Sequence, residues 1–179
     1  MKIILPLLLA FTGLFSAAAQ AEPTLVIVVR HAERALEPEG DPSLSAEGVQ
    51  RAQQLAERLA NAHVNAIITT HYRRTQETAL PTAKAFGIEP IVVGVRRTAM
   101  DAHVPEVLAA IHAQRGVVLV VGHSNTVTDI VAGLFGARPV RLCDTSFSRL
   151  FIVQPGPAGS AVLEFNYGRS DPAPAADCQ

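Results

Sequence analysis

Two histidines, each set behind an apolar run, are the residues of this chain best placed to do chemistry. His31 follows Thr24-Leu25-Val26-Ile27-Val28-Val29-Arg30, and His123 follows Gly116-Val117-Val118-Leu119-Val120-Val121-Gly122. A neutral imidazole is a competent nucleophile near neutral pH, because its unperturbed pKa lies at about 6.5. Arg30 directly precedes the first histidine, and a second arginine pair lies in Thr69-Thr70-His71-Tyr72-Arg73-Arg74-Thr75-Gln76-Glu77-Thr78-Ala79. Guanidinium groups are permanently charged, and their forked donors fit phosphate oxygens. Two imidazoles and placed arginines in one pocket would suit phosphoryl transfer, where catalysis is mostly positioning plus stabilisation of charge on the equatorial oxygens. A lone histidine after a strand is ordinarily a satisfied polar residue; two of them with an arginine motif reverse that reading. The remaining histidines, His63, His71, His103 and His112, lack a zinc-ligand spacing such as His-Glu-x-x-His, so no metal is expected.

The elements that must position these groups alternate along the chain. The first apolar run is continuous and β-branched, as in a strand covered on both faces, and open α/β sheets place ligands at the C-terminal ends of such strands. A polar loop, 32–44, carries Pro38, Gly40 and Pro42. Ser45 is a good N-cap for a helix with Glu47 in its first turn and Val49, Ala52, Leu55, Ala56 and Leu59 at helical spacing. Val64 to Thr69 reads as a strand, and Thr75 to Phe86 as a helix kinked at Pro81 and stopped by Gly87. Ile91 to Val95 reads as a third strand. Pro105 suits a first helical turn, which predicts a helix over Pro105 to Gln114. Val117 to Val121 is the next strand, followed by a helix from about Ser124 to Phe135 that Gly136 closes. Leu150 to Val153 and Ala161 to Phe165 are closing strands around Pro155-Gly156-Pro157. There is no internal repeat, and the alternation predicts one three-layer α/β/α domain with a mostly parallel central sheet.

Met1-Lys2, the apolar run Ile3 to Phe15 and the small-residue end Ala19-Gln20-Ala21 have the form of an export signal cleaved before Glu22. That run is shorter than the about 20 apolar residues of a spanning helix. The expected organisation is therefore a signal peptide at 1–21, a domain at 22–169 and a mobile Pro/Ala/Asp-rich tail at 170–179, with a periplasmic or secreted location. Beyond the signal, acidic residues outnumber basic ones by two, and Lys84 is the one lysine. Such a balance suggests no nucleic-acid partner and no stable membrane association after cleavage. Positive potential must then be local and come from placed arginines. An oxidising compartment favours a disulfide between Cys143 and Cys178 over two free thiols.

Taken in order, Val29-Arg30-His31-Ala32-Glu33, Asp41-Pro42-Ser43-Leu44-Ser45-Ala46-Glu47-Gly48, Tyr72-Arg73-Arg74-Thr75-Gln76-Glu77-Thr78-Ala79 and Gly122-His123-Ser124 resemble the histidine phosphatase superfamily. The resemblance runs from Val28 to about Tyr167. Ala32 departs from it, since much of the family has glycine there. It implies a phosphoglycerate mutase-like fold and a phosphatase, without cofactor, that works through a phosphohistidine. On this resemblance His31 is the nucleophile, Arg30 and Arg74 bind the phosphoryl oxygens, and His123 is the second imidazole on the phosphoryl group. A helix starting near Ser124 would add its N-terminal dipole. Arg73 is read as a solvated neighbour, and Arg34 as a member of a loop salt bridge, with the pocket rim as its alternative place.

The leaving group needs a proton donor and the phosphohistidine an activated water. Asp101, in the segment after the third strand, is the candidate acid, with Glu106 and Glu33 behind it. That Asp101 only orders the entry to a helix stays equally open. Some compact family members manage without an obvious acid, which suits activated substrates such as phosphohistidine.

Other readings fit less well. Gly122-His123-Ser124-Asn125-Thr126 has the context of a serine nucleophile elbow, but Thr126 stands where a glycine is needed and no histidine follows Ser124. A phosphoglycerate-mutase-like phosphotransferase would belong in the cytosol and carry longer insertions. A non-catalytic phospho-ligand binder of the same fold would have no need of His31. The expectation is a phosphatase acting on a phosphorylated small molecule or phosphoprotein, its substrate and oligomeric state not legible.

Overall fold

The computed structural model describes residues 22–173, apart from 140, 157 and 158. The expected signal peptide, most of the expected tail and Cys178 lie outside the described residues. The elements in chain order are β1 (Pro23–Arg30), α1 (Ala46–Arg58), β2 (Val64–Thr69), α2 (Arg73–Phe86), β3 (Ile91–Val92), α3 (Met100–His112), β4 (Gly116–Gly122), α4 (Val127–Phe135), β5 (Arg149–Gln154) and β6 (Ala161–Asn166).

They form a six-stranded sheet of order β3-β2-β4-β1-β5-β6. β1 pairs in parallel with β4 and antiparallel with β5, so it is hydrogen-bonded on both sides. Its side chains explain why the run is apolar throughout. Val26 and Val28 join the core under α3 and α4, whereas Ile27 and Val29 join the core under α1 and α2. Each such side chain taken from water contributes about 1.5–3 kcal/mol. The sheet is mixed rather than wholly parallel, because β5 and β6 close it as an antiparallel pair. The three layers and the mostly parallel sheet agree with the expectation.

Three expected elements differ. The third strand is two residues long: after the Val93 amide donates to the Thr69 carbonyl (2.8 Å) the backbone turns away, and the Val95 amide donates to His71 Nδ1 (3.0 Å) instead of to a strand. α3 begins at Met100, five residues before Pro105, continuing from a 3-10 turn over Arg97–Ala99. Pro105 there lacks only the bond to the Asp101 carbonyl, inside the first turns, where its loss is tolerated. α4 begins at Val127, not Ser124, because residues 123–126 form a tight turn with the Thr126 and Val127 amides both on the His123 carbonyl (3.0 Å each). The dipole expected at Ser124 is therefore set back. α2 runs unbroken through Pro81.

The tail boundary at 170 also moves, since Asp171 is docked on the domain by four hydrogen bonds to residues 147 and 148. Among the described residues, no helix is long and apolar enough to cross a membrane.

Candidate active site

The two histidine-bearing loops meet because β1 and β4 are neighbours in register, Arg30 opposite Gly122. The His31 amide then donates to the Gly122 carbonyl (2.9 Å), locking the loops together. A side chain at Gly122 would crowd Thr126 and Val127 at 3.2 Å, so the turn that carries His123 packs against bare backbone. The rings of His31 and His123 stand edge to face, 5.4 Å between centroids.

His31 is 4% exposed, and its Nδ1 lies 2.8 Å from the Ala32 carbonyl. A carbonyl only accepts, so Nδ1 carries the proton and Nε2 keeps its lone pair. Burial pushes the His31 pKa down to about 2; the charges of Arg30, His123 and Arg74 act in the same direction against the hydrogen bond to Ala32. His123 is pushed down to about 3, by burial first and then by Arg74. Both imidazoles are neutral at pH 7. His123 Nε2 rests on Thr70 Oγ1 (3.1 Å), which lies 2.9 Å from Thr75 Oγ1. Thr75 in turn donates to the Tyr72 carbonyl (2.8 Å). These two threonines orient the second imidazole. The signal for Thr70 was the polar Thr69-Thr70 pair at the end of the β2 run.

Arg30 is 6% exposed and is held from a loop 113 to 116 residues away in sequence. Its Nη1 donates to the carbonyls of Cys143 (2.8 Å), Asp144 (3.0 Å) and Ser146 (3.3 Å), and its guanidinium lies 4.2 Å from the centre of the Phe147 ring. Its Nε is buried without a partner. Burial lowers the Arg30 pKa to about 10, with Arg34 and Arg74 adding to the effect and Asp144 and Asp171 opposing it. The 143–148 loop is itself fixed by Asp171, whose carboxylate accepts from the Phe147 and Ser148 amides (2.9 Å each) and from the Ser148 hydroxyl (2.8 Å). No sequence pattern pointed to this support.

Arg74 sits in the first turn of α2, its guanidinium 4.2 Å from the Tyr72 ring centre. Asp41 reaches across to accept from the Arg73 amide (2.9 Å) and lies 3.9 Å from Arg74 Nη1. The Asp41-Pro42-Ser43-Leu44-Ser45 run therefore seats α2 as well as starting α1. Arg73 pairs with Glu77 on the solvent side (3.4 Å), as expected for the solvated neighbour. Thr78 ties the motif to the His31 loop, accepting from the Ala32 amide (2.9 Å) and donating to the Arg74 carbonyl (2.6 Å). Gly48 allows α1 to press on that loop: a Cβ there would lie 2.0 Å from the Glu33 carbonyl oxygen.

These groups share a cavity of about 690 Å³ whose wall includes Arg30, His31, Arg34, Arg74 and His123. The expected acid does not share it. Asp101 is exposed, and its neighbour Met100 lines the cavity instead. The reason is the early start of α3: successive helical residues diverge by about 100°, so Met100 faces inward and Asp101 faces water. Glu106 pairs with Arg96 on the outside. Glu33 does reach the wall, but Arg51 holds it with three hydrogen bonds of 2.8–3.1 Å. Burial alone would raise the Glu33 pKa, yet the Arg51 hydrogen bonds outweigh it and hold the carboxyl below its usual range. The other carboxylate on the wall is Asp144, 3.9 Å from Arg30 Nη2. Among the described residues no three of His, Cys, Asp and Glu are grouped as metal ligands. Arg34 lines the cavity, the alternative to the loop salt bridge expected for it.

Residues 26–97 match the sequence profile of the histidine phosphatase superfamily (branch 1). Phosphoserine phosphatase 1 of Hydrogenobacter thermophilus is 39% identical over 72 residues, 37% of this chain and 34% of its own length. The "Probable phosphoglycerate mutase GpmB" of an Enterobacter species is 37% identical over 87 residues, 45% of this chain and 40% of its own length. The chain thus covers well under half of each of these relatives. Solved structures extend the likeness to the fold as a whole. The protein histidine phosphatase SixA, complexed with tungstate, superposes with a TM-score of 0.62 at 17% identity, covering 79% of this chain and 96% of that one. The alpha-ribazole phosphatase of Shigella flexneri gives 0.62 at 14% identity, with 79% and 96% coverage. At such identities the structural agreement is one of fold. The segment that carries Arg30, His31 and Arg74 thus matches the histidine phosphatase superfamily profile, and the fold around it is phosphoglycerate mutase-like.

Proposed function

We propose that this protein is a phosphatase that transfers a phosphoryl group to His31 Nε2 and then to water. The observation that carries the reading is a neutral imidazole, its Nε2 lone pair left free by the Nδ1 contact with Ala32, in one cavity with His123 and the guanidinium groups of Arg30 and Arg74. Arg30 and Arg74 take the equatorial oxygens, and His123 takes the phosphoryl group from the other side. His31 attacks phosphorus in line, the P–N bond forms as the bond to the leaving group breaks, and water then displaces the histidine.

Both carboxylates on the wall have arginine neighbours, Glu33 held by Arg51 and Asp144 beside Arg30, so neither is placed as a ready proton donor. This supports a preference for leaving groups that depart without one, such as phenolates or the nitrogen of a phosphoramidate. Among the proteins of like fold, the protein histidine phosphatase agrees by its name with that class. Export to the periplasm or beyond belongs to the same proposal, supported by the run Ile3 to Phe15 and the Ala19-Gln20-Ala21 end.

The test is nitrophenyl phosphate hydrolysis by the chain from Glu22 onward in excess EDTA, wild type beside His31→Ala. Chelator-resistant turnover lost in the variant is expected. Turnover that survives His31→Ala would show the nucleophile to be misassigned, and wild-type binding of tungstate without turnover would point to a binding protein.

A further inference from the structure

Arg34 stands at the mouth of the cavity, and the phosphoryl chemistry leaves it without a task. It is exposed, lines the same wall as Arg30 and Arg74, and has no ion-pair partner among the described residues. The nearby acids are already engaged: Glu33 with Arg51, Asp41 with the start of α2 and Arg74, and Glu77 with the Leu44 amide and Arg73. Nor does Arg34 sit on a loose loop. Its backbone bridges to Leu44, the Ala35 amide donates to the Ser43 carbonyl (2.8 Å), and the Ser45 amide donates to the Glu33 carbonyl (2.9 Å). The guanidinium is therefore presented from a clamped ribbon.

A phosphomonoester carries about −1.5 to −2 charges near neutral pH, which the two deeper arginines match. A third arginine in the same cavity acts against both of them. Asp144 and Asp171 offset part of that repulsion at Arg30 and Asp41 part of it at Arg74, whereas Arg34 itself has no carboxylate at ion-pair distance among the described residues. We propose that Arg34 is a second anion subsite, reading a carboxylate or second phosphoryl group carried by the body of the same substrate. Resting on the phosphatase reading, this narrows the substrate class to phosphorylated compounds with a further negative group. Leu36, 86% exposed, and Met100, 45% exposed, flank the mouth, so the body between the two anions crosses apolar surface.

The experiment compares phenyl phosphate with 4-carboxyphenyl phosphate on wild type and Arg34→Met, and on Arg34→Lys as the conservative change. Wild type should favour the carboxylated substrate in kcat/KM by about tenfold, the effect of one charge-assisted contact. The preference should reside in KM, collapse in Arg34→Met, return in part in Arg34→Lys and shrink at high salt. Replacing the carboxylate by a second phosphoryl group separates the two anion sources. A preference that persists in Arg34→Met, or no preference in wild type, overturns the subsite while leaving the phosphatase standing. Calorimetric titration of both ligands into His31→Ala gives the same ratio without turnover. Failure of either ligand to bind there, with no turnover by wild type, sinks the phosphatase reading and this one together.

Discussion

The two active-site imidazoles should make the fold acid-labile by an amount that can be worked out. An unfolded chain protonates histidine at about 6.5, whereas in the folded protein burial holds His31 down to about 2 and His123 to about 3. Between those values the unfolded state binds protons that the folded state refuses, so stability is fully present above about pH 6.5 and falls as the pH is lowered. At pH 5.5 each imidazole costs about 1.4 kcal/mol relative to pH 7.5. The figure is insensitive to the exact folded pKa, provided that it stays well below 5.5. The perturbation is His31→Asn, which removes one of the two. Urea unfolding at pH 7.5 and 5.5, in phosphate-free buffer, should show the variant losing about 1.4 kcal/mol less than wild type between the two conditions. Carboxylate effects are common to both proteins and cancel. Added phosphate should shrink the wild-type loss, because a bound anion favours the imidazolium. Equal losses in wild type and His31→Asn would refute the claim that burial keeps His31 neutral.

Two further outcomes test the supports of the site. Asp171→Ala strips the acceptor from the amides of Phe147 and Ser148, so it should cost about 1–3 kcal/mol of stability and weaken phosphate binding by about tenfold through the released Arg30. Asp171→Asn should recover part of both, and phosphate affinity unaltered in Asp171→Ala would exclude this support. Gly48→Ala drives a methyl into the Glu33 carbonyl. It should destabilise by about 1–3 kcal/mol and reduce turnover by displacing the His31 loop, whereas a wild-type melting temperature would contradict the close approach.

Periodicity and residue type determined most of the fold. The β1 and β4 runs are apolar at every position because both faces are covered, and that is visible in one dimension. Ser45 and Gly136 marked a helix start and a helix end for reasons local to the backbone. Arg30, His31, Arg74 and His123 were legible because strand ends and a helix start deliver them, and the sheet order then brings them to one cavity. What failed to show were contacts made across long separations by residues of no periodic pattern. The start of α3 depended on a 3-10 turn that carries the helix past Pro105, and it decided that Met100, not Asp101, lines the cavity. The carbonyls of the 143–148 loop that hold Arg30, and the Asp171 carboxylate that holds that loop, lie more than a hundred residues from β1. Nor does any periodic pattern show the pairing of Glu33 with Arg51, 18 residues on, which turns the nearest carboxyl into a fixed anion, or the unpaired state of Arg34 at the mouth. The sequence determined which groups could do chemistry, since type and local pattern are properties of neighbours in the chain. Which of them are free to do it was decided by tertiary structure, because a charge is free or paired only according to what folds against it.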